Sequence, residues 1–397
     1  MKGLKVNLIW QILIGICLGI CIGFISPLWL ARLAATLNGI FSQFLGFMIP
    51  MIIIGFVVPA IADVGTRAGK LLVATALLAY FFTFFSGMLS YFTGVLTFPS
   101  LIRGESGLTA VENGAHLEPC FTMDIPAIMP VMTALVLSFM LGLGIAFIKD
   151  KSIMRGFFDE FREIVQKTIS ACIIPLLPFY IFFIFLVMTV EGQVGVILTT
   201  FVKIIAIIFC LHIFILLLQY CIAACFMHRN PFKMLMTMMP AYFTALGTQS
   251  SAATIPVTLR QTIKMGVSED VAGFVVPLCA TIHMSGSALK ITACALALII
   301  MQGNPYTLGE FLQFTAMLGV TIVAAPGIPG GSIMASLGLL SSVLGFDQRM
   351  IALMIALYIS MDSFGTACNV TGDGAISAIL NPFFVRKKVK TPFHKKC

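Results

Sequence analysis

Charge is scarce in this 397-residue chain: Asp, Glu, Lys and Arg together make up 10% of it. A soluble domain carries roughly 25%, so something other than water must solvate most of this surface. Other things are missing as well. The 11 cysteines show no metal-type spacing and lie mostly inside apolar runs, where they read as small buried apolar residues. Cys120 stands alone in a polar loop, so no loop disulfide is implied. No strand-like alternation of polarity runs through the apolar segments, which argues against a β-barrel. No internal repeat, low-complexity tract or clean small-residue cleavage site is visible.

What is present is hydrocarbon. Hydrophobic residues fill 59% of positions, and the mean hydropathy is +1.05. Apolar runs lie near residues 6–26, 38–62, 70–98, 126–148, 168–190, 194–226, 269–302, 312–325, 332–345 and 350–361. A helix needs about 20 residues to span the hydrocarbon; the first seven runs reach that length and the last three do not. The pattern predicts an all-α polytopic membrane protein. The opening "MKGLKVNLIWQILIGICLGICIGFIS" has too long an apolar part for a signal peptide and reads as an uncleaved first span.

The net charge of +8 serves as an orientation signal before a nucleic-acid one, and no nucleic-acid partner is expected. Basic residues gather at Lys2 and Lys5, Arg67 and Lys70, Lys149 to Lys167, Arg229 and Lys233, Arg260 and Lys264, and in the tail "RKKVKTPFHKK". The alternate connections hold only Arg32, Arg103 and Arg349. Cytoplasmic loops carry the Lys/Arg excess, which places both termini in the cytoplasm. Residues 229–264 then begin and end inside, and 303–349 begin and end outside, so each dips in and returns. The inner dip has a small, polar centre from Gly247 through Pro256; the outer one turns at "AAPGIPGGS", residues 324–332. Paired interrupted hairpins of opposite polarity point to an inverted-repeat transporter with its site at the midplane. The loop 99–125 reads as a solvated external connection.

Of sixteen Asp and Glu residues, two fall inside an apolar segment: Asp362 and Asp373, in "YISMDSFGTACNVTGDGAISAIL". Ionised side chains at that depth are expensive and mark function by default. Asp362, Thr366, Asn369 and Asp373 share one helical stripe, bordered by Gly365 and Gly372. The internal candidates to neutralise these carboxylates are Lys290 and His283, seven residues apart on one face. Lys203 lies nearer a span end, where it can snorkel. The other source is cargo: a hard cation for one carboxylate and a substrate ammonium for the other.

On these motifs the chain resembles the dicarboxylate/amino acid:cation symporter family over nearly its whole length. "QSSAATIPVT" matches the first hairpin tip, "GIPGGS" the second, and "DSFGTACNVTGD" the last helix. The resemblance implies eight spans plus two opposed re-entrant hairpins, working as an elevator in a homotrimer. It divides the chain into scaffold (1–69 and 96–194) and transport unit (70–95 and 195–397), with hairpins near 231–265 and 305–346. It also implies a substrate site of Ser250, Ser251, Met284, Ser287, Gly327, Ile328, Pro329, Asp362, Gly365, Thr366 and Asn369. There Asp362 would take the amino group and Asn369 the carboxylate. Asn369 and Asp373, with carbonyls near Cys279 and His283, match one sodium site. Carbonyls of Thr281, Ile322, Val323 and Ala325 match another.

Departures from the family pattern shape the reading. Members that take acidic substrates have an arginine where this chain has Gly365; its absence predicts a neutral amino acid, with open volume for a larger side chain. The family's Asn-Met-Asp-Gly is here "HMSG", with His283 and Ser285, and although Tyr80 and Thr83 match a third sodium site, Phe84 replaces its serine. Fewer coupled sodium ions are therefore expected. Lys290 or His283 would compensate charge or carry a proton, unless Lys290 merely pairs with Asp373 or a hairpin carbonyl. The expected function is cation-coupled symport of small neutral amino acids across the cell membrane, without a cofactor. Alternatives left open are proton coupling or exchange of dicarboxylates or other amino acids, a channel, and a transporter-like sensor. An enzyme is disfavoured, because "GTQSS" is no nucleophile elbow and His212 and His283 are the sole candidate buried bases.

Overall fold

The computed structural model describes residues 8–66, 70–102, 117–148, 153–192, 194–323 and 330–384, which form fifteen α-helices and no strand. The apolar runs become helices because in lipid each backbone polar group needs a partner within its own segment. Among the described residues, five helical stretches are long and apolar enough to cross a membrane: Leu28–Pro59, Lys70–Ile102, Ile153–Val190, Ile197–Met227 and Glu269–Met301. A sixth is the pair α14 (Gln348–Ser360) and α15 (Asp362–Phe384), bent by 60° at Met361. This is a multi-pass membrane protein.

α1 covers Leu8–Ile25. One expected span comes out short: the run at 126–148 yields only the 17 residues of α4, Val131–Phe147. Pro126 and Pro130 account for the difference, since proline disfavours helical backbone in the residue before it. α2 (Leu28–Thr66) instead continues through Pro50 and Pro59 for 39 residues. The segment before the fifth apolar run is itself helical. α5 (Ile153–Thr168) is amphipathic, with ion pairs Arg162–Asp159 and Lys167–Glu163, and it passes through a π-turn at Ile169–Ile173 into α6 (Ile174–Val190).

Packing falls into two groups. α1 lies on α6, and α2 lies on α4, α5 and α6. Gly15, Gly19 and Gly23 let α1 approach closely: a Cβ on Gly19 would sit 2.6 Å from the Phe182 carbonyl oxygen. In the second group α3 (Lys70–Ile102) packs on α11 (Ser285–Met301), while α15 contacts α7 (Val194–Met227), α8 (Pro231–Thr248), α9 (Ser251–Met265), α10 (Glu269–Ile282) and α11. α12 (Leu308–Val323), α13 (Gly331–Leu344) and α14 touch both groups. Seven of the ten described cysteines are exposed on the isolated chain and only Cys279, Cys294 and Cys368 are buried. The reading of the cysteines as buried residues is corrected accordingly: most lie on outward helix faces.

Two hairpins and two breaks converge on one region. α8 and α9 pack antiparallel around a tip of two residues, Gln249 (φ 54°) and Ser250. That tip is tighter than the sequence suggested, because Gly247 and Pro256 both lie inside helices. The second hairpin is α12 and α13; its expected tip residues Ala325, Gly327, Ile328 and Pro329 lie outside the described residues. α10 breaks from α11 at His283 and Met284, and α14 from α15 at Met361.

Candidate functional site

Asn369 is the keystone of the region. Its side-chain oxygen accepts from the backbone N–H of Gly286 (2.8 Å) and Ser287 (3.4 Å), at the first turn of α11. Its amide donates to Ser287 Oγ at 3.1 Å and to the Met284 sulfur at 3.5 Å. A helix start leaves N–H groups without intrahelical partners; here α15 supplies the acceptor. Gly286 permits this contact, since a Cβ there would lie 2.7 Å from both the Gly365 carbonyl oxygen and Cys368 Cβ.

Asp362 opens α15 and is buried. One carboxylate oxygen pairs with Lys290 Nζ at 2.9 Å; the other accepts from the Gly330 N–H at 2.8 Å. Lys290 is fully buried, and its ammonium lies 3.5 Å from the centroid of the Tyr358 ring, within cation–π reach. Two sequence expectations change here. The volume beside Gly365 is filled, because a Cβ there would be 2.8 Å from Lys290 Nζ. Lys290 pairs with Asp362, the first acid of α15, and not with Asp373 or a hairpin carbonyl. The 60° break at Met361 starts α15 at Asp362, within reach of the lysine on α11.

Asp373 meets the imidazole. His283 Nδ1 lies 3.0 Å from Asp373 Oδ1 and 3.2 Å from the Asn369 carbonyl oxygen. The Gln219 amide nitrogen sits 3.4 Å from His283 Nε2. A donor at Nε2 requires that nitrogen to accept, so in this arrangement Nδ1 carries the hydrogen toward Asp373. Each buried acid of α15 thus faces a nitrogen of this chain, and the two internal candidates read from the sequence, Lys290 and His283, are the ones that meet them.

Beside Asp362 and Asn369 lies a cavity of about 40 Å³, lined by Gln249, Ser251, Ala280, Met284, Ser287, Gly331, Ser332, Tyr358, Asp362, Thr366 and Asn369. Six residues singled out from sequence line it: Ser251, Met284, Ser287, Asp362, Thr366 and Asn369. Ser250 instead caps α9, accepting from the Ala253 N–H at 3.3 Å, and Gly365 faces Lys290. Of the expected cation ligands, the Cys279 carbonyl accepts from the His283 N–H at 2.8 Å. The Thr281 hydroxyl bonds the Leu278 carbonyl, and Ile322 and Val323 close α12. Tyr80 donates to the Ala316 carbonyl, and Thr83 Oγ1 accepts from the Met284 N–H. No group of three or more His, Cys, Asp or Glu arranged to hold a metal occurs among the described residues. Sequence reasoning missed Gln249, Ser332, Tyr358 and Gln219; the visible signal for Gln219 was one amide in the run 194–226.

A polar cavity lined by residues of two helical hairpins and two interrupted helices in a membrane protein accords with the family match. The model of the sodium:dicarboxylate symporter family matches residues 8–383. The chain belongs to that family. The family is described as one of symporters rather than of enzymes. Among its relatives, excitatory amino acid transporter 4 of Mus musculus is 31% identical over 271 residues, 65% of this chain and 47% of the relative. The putative sodium-dependent excitatory amino acid transporter glt-4 of Caenorhabditis elegans is 29% identical over 262 residues, 64% of this chain and 51% of the relative. Human excitatory amino acid transporter 2 is 34% identical over 146 residues, covering 36% and 25%. The chain spans about half the length or less of these matched relatives.

Proposed function

We propose that this symporter-family member carries small neutral amino acids across the cell membrane, coupled to a cation gradient. The observation that carries the reading is the cavity lined by Asp362, Thr366 and the Asn369 amide, with the Lys290 ammonium paired to Asp362 outside the lining. Neutral cargo follows from charge arithmetic. Lys290 cancels Asp362, so the chamber offers no unmatched positive charge for a second carboxylate. A zwitterion adds nothing net, whereas glutamate or aspartate leaves one buried charge unpaired, which is costly.

Sodium is the proposed coupling ion, as the family description suggests. His283 against Asp373 supports fewer sodium ions than the full set, with a proton as the alternative ion. Binding would involve the described site residues together with Gly327, Ile328, Pro329 and Ala325. The reading retains eight spans, an elevator motion of 70–95 and 195–397 against 1–69 and 96–194, a homotrimer and cytoplasmic termini. The two packing groups, bridged by α12 to α14, support such a division.

Counterflow in liposomes tests this reading. Radiolabelled alanine or serine should accumulate when unlabelled amino acid fills the lumen, should depend on a sodium or proton gradient, and should not be displaced by glutamate. Asp362→Asn should abolish binding. Flux without trans-stimulation would identify a pore instead.

A further inference from the structure

A second cavity, of about 280 Å³, shares no lining residue with the one beside Asp362. It is a cleft between the first half of α2, the end of α6, the segment 117–123 and the start of α14. Phe121 and Met123 on that segment are exposed, so the cleft is open on their side. The segment is anchored to α2: Thr36 Oγ1 accepts from the Cys120 N–H at 2.8 Å and donates to the Arg32 carbonyl at 2.7 Å. One wall is apolar, with Ile40, Leu117, Phe121, Ile184 and Val187.

The polar lining has room for a donor. Asn38 Oδ1 is buried and finds no hydrogen-bond partner in the chain; such an acceptor bears its full desolvation cost until a donor arrives. Thr36 cannot help, because its hydroxyl hydrogen is already committed to Arg32. The Glu191 carboxylate also lines the cleft, its side chain only 5% exposed, and Arg349 holds one of its oxygens at 2.7 Å. Charge adds a sign. Glu118, Asp124 and Asp347 are exposed and adjoin the lining residues Leu117, Met123 and Gln348. With Glu191 they set four carboxylates against the guanidinium groups of Arg32 and Arg349. A cleft bearing one excess sign of charge raises the local concentration of the opposite ion.

We propose that this cleft is a binding site for a small organic monoamine. Its ammonium donates to Asn38 Oδ1 and to the Glu191 carboxylate, and its aromatic body lies on the apolar wall. At interior packing density the cavity accommodates roughly 200 Å³ of guest, enough for an arylalkylamine. An anion would face the carboxylates and give Asn38 nothing, and an acyl chain would leave Asn38 and Glu191 without a donor. α2 and α6 belong to one packing group, while α14 touches both. An amine seated between them would hold the Arg349–Glu191 tie in place. On the transport function proposed above, it would therefore slow exchange without competing with amino acid.

Equilibrium dialysis of radiolabelled 2-phenylethylamine against the purified full chain in detergent tests the site, with uptake by protein-free micelles subtracted. Binding should saturate below about 1 mM. The neutral isostere 2-phenylethanol should bind at least tenfold more weakly and the anion 3-phenylpropionate should show no saturable binding. Asn38→Leu should weaken the amine at least tenfold. Gly39→Phe should abolish its binding with an unchanged melting temperature: Gly39 lines the cleft, and a Cβ there meets nothing within 4 Å. Absence of saturable amine binding overturns the proposal, as does an alcohol or anion that binds equally well. Wild-type affinity in Gly39→Phe, or in a folded Asn38→Leu, overturns it too. If Asn38→Leu does not fold, Gly39→Phe alone decides. None of these measurements uses transport, so a failure of the symport reading would leave the binding result standing.

Discussion

Asn369 shows how one amide holds a junction together. Its oxygen serves two N–H groups of α11 and its nitrogen serves Ser287. Asn369→Ala strands buried donors, each costing about 1–3 kcal/mol. The cargo-free protein should therefore melt several degrees lower in detergent. An unchanged melting temperature would mean that Asn369 serves ligand alone. Gly372→Ala should also destabilise, by roughly 1–3 kcal/mol, because the new Cβ runs into His283 Cε1 and Gln219 Oε1; His283→Ala in the same background should recover part of the loss. At this scale the sequence was informative about the acids. Two aspartates in an apolar helix stand out at once, and so does the stripe that adds Thr366 and Asn369. Which nitrogen meets which acid was hidden, because the answer depends on where α10 and α14 break, and neither break carries a proline or a long polar interruption.

Among the elements, the breaks and caps decide the geometry. Gly330→Ala places a Cβ at φ 77°, at a cost of about 1–2 kcal/mol, and turns the N–H away from Asp362. Faster exchange along α13 with unchanged exchange along α8 is the expected signature. Elsewhere the stripe of Gly15, Gly19 and Gly23 sets the spacing of α1 from α6. Gly19→Leu should reduce the yield of monodisperse protein on size exclusion, since its side chain meets α6 backbone within 3 Å. Run length and hydropathy located nearly every helix in advance. They overstated α4, where proline delays the start, and overlooked α5, whose alternating charges resemble a loop until helical spacing is applied.

For the whole molecule, the telling contact joins the two packing groups. Arg349, at the start of α14, pairs with Glu191, just beyond α6, at 2.7 Å. The glutamate side chain is only 5% exposed, and the pair borders a cavity of about 280 Å³. Under the proposed motion of one group past the other, this tie must break in every cycle. Arg349→Ala should therefore raise the maximal exchange rate by about fivefold, the equivalent of roughly 1 kcal/mol, with apparent affinity for amino acid unchanged. A slower rate or an altered affinity would place the pair in a different role.

The pairing of Lys290 with Asp362 also has a history in time. The two residues lie 72 positions apart, so a ribosome delivers the lysine to the bilayer well before its acid exists. A lone lysine at mid-helix costs about 2.5–3.5 kcal/mol on translocon-insertion scales. The nascent α10–α11 segment therefore carries an unmatched charge until α15 emerges, and a chain truncated before Asp362 is expected to insert less efficiently than one carried through α15, as a glycosylation-mapping insertion assay would read.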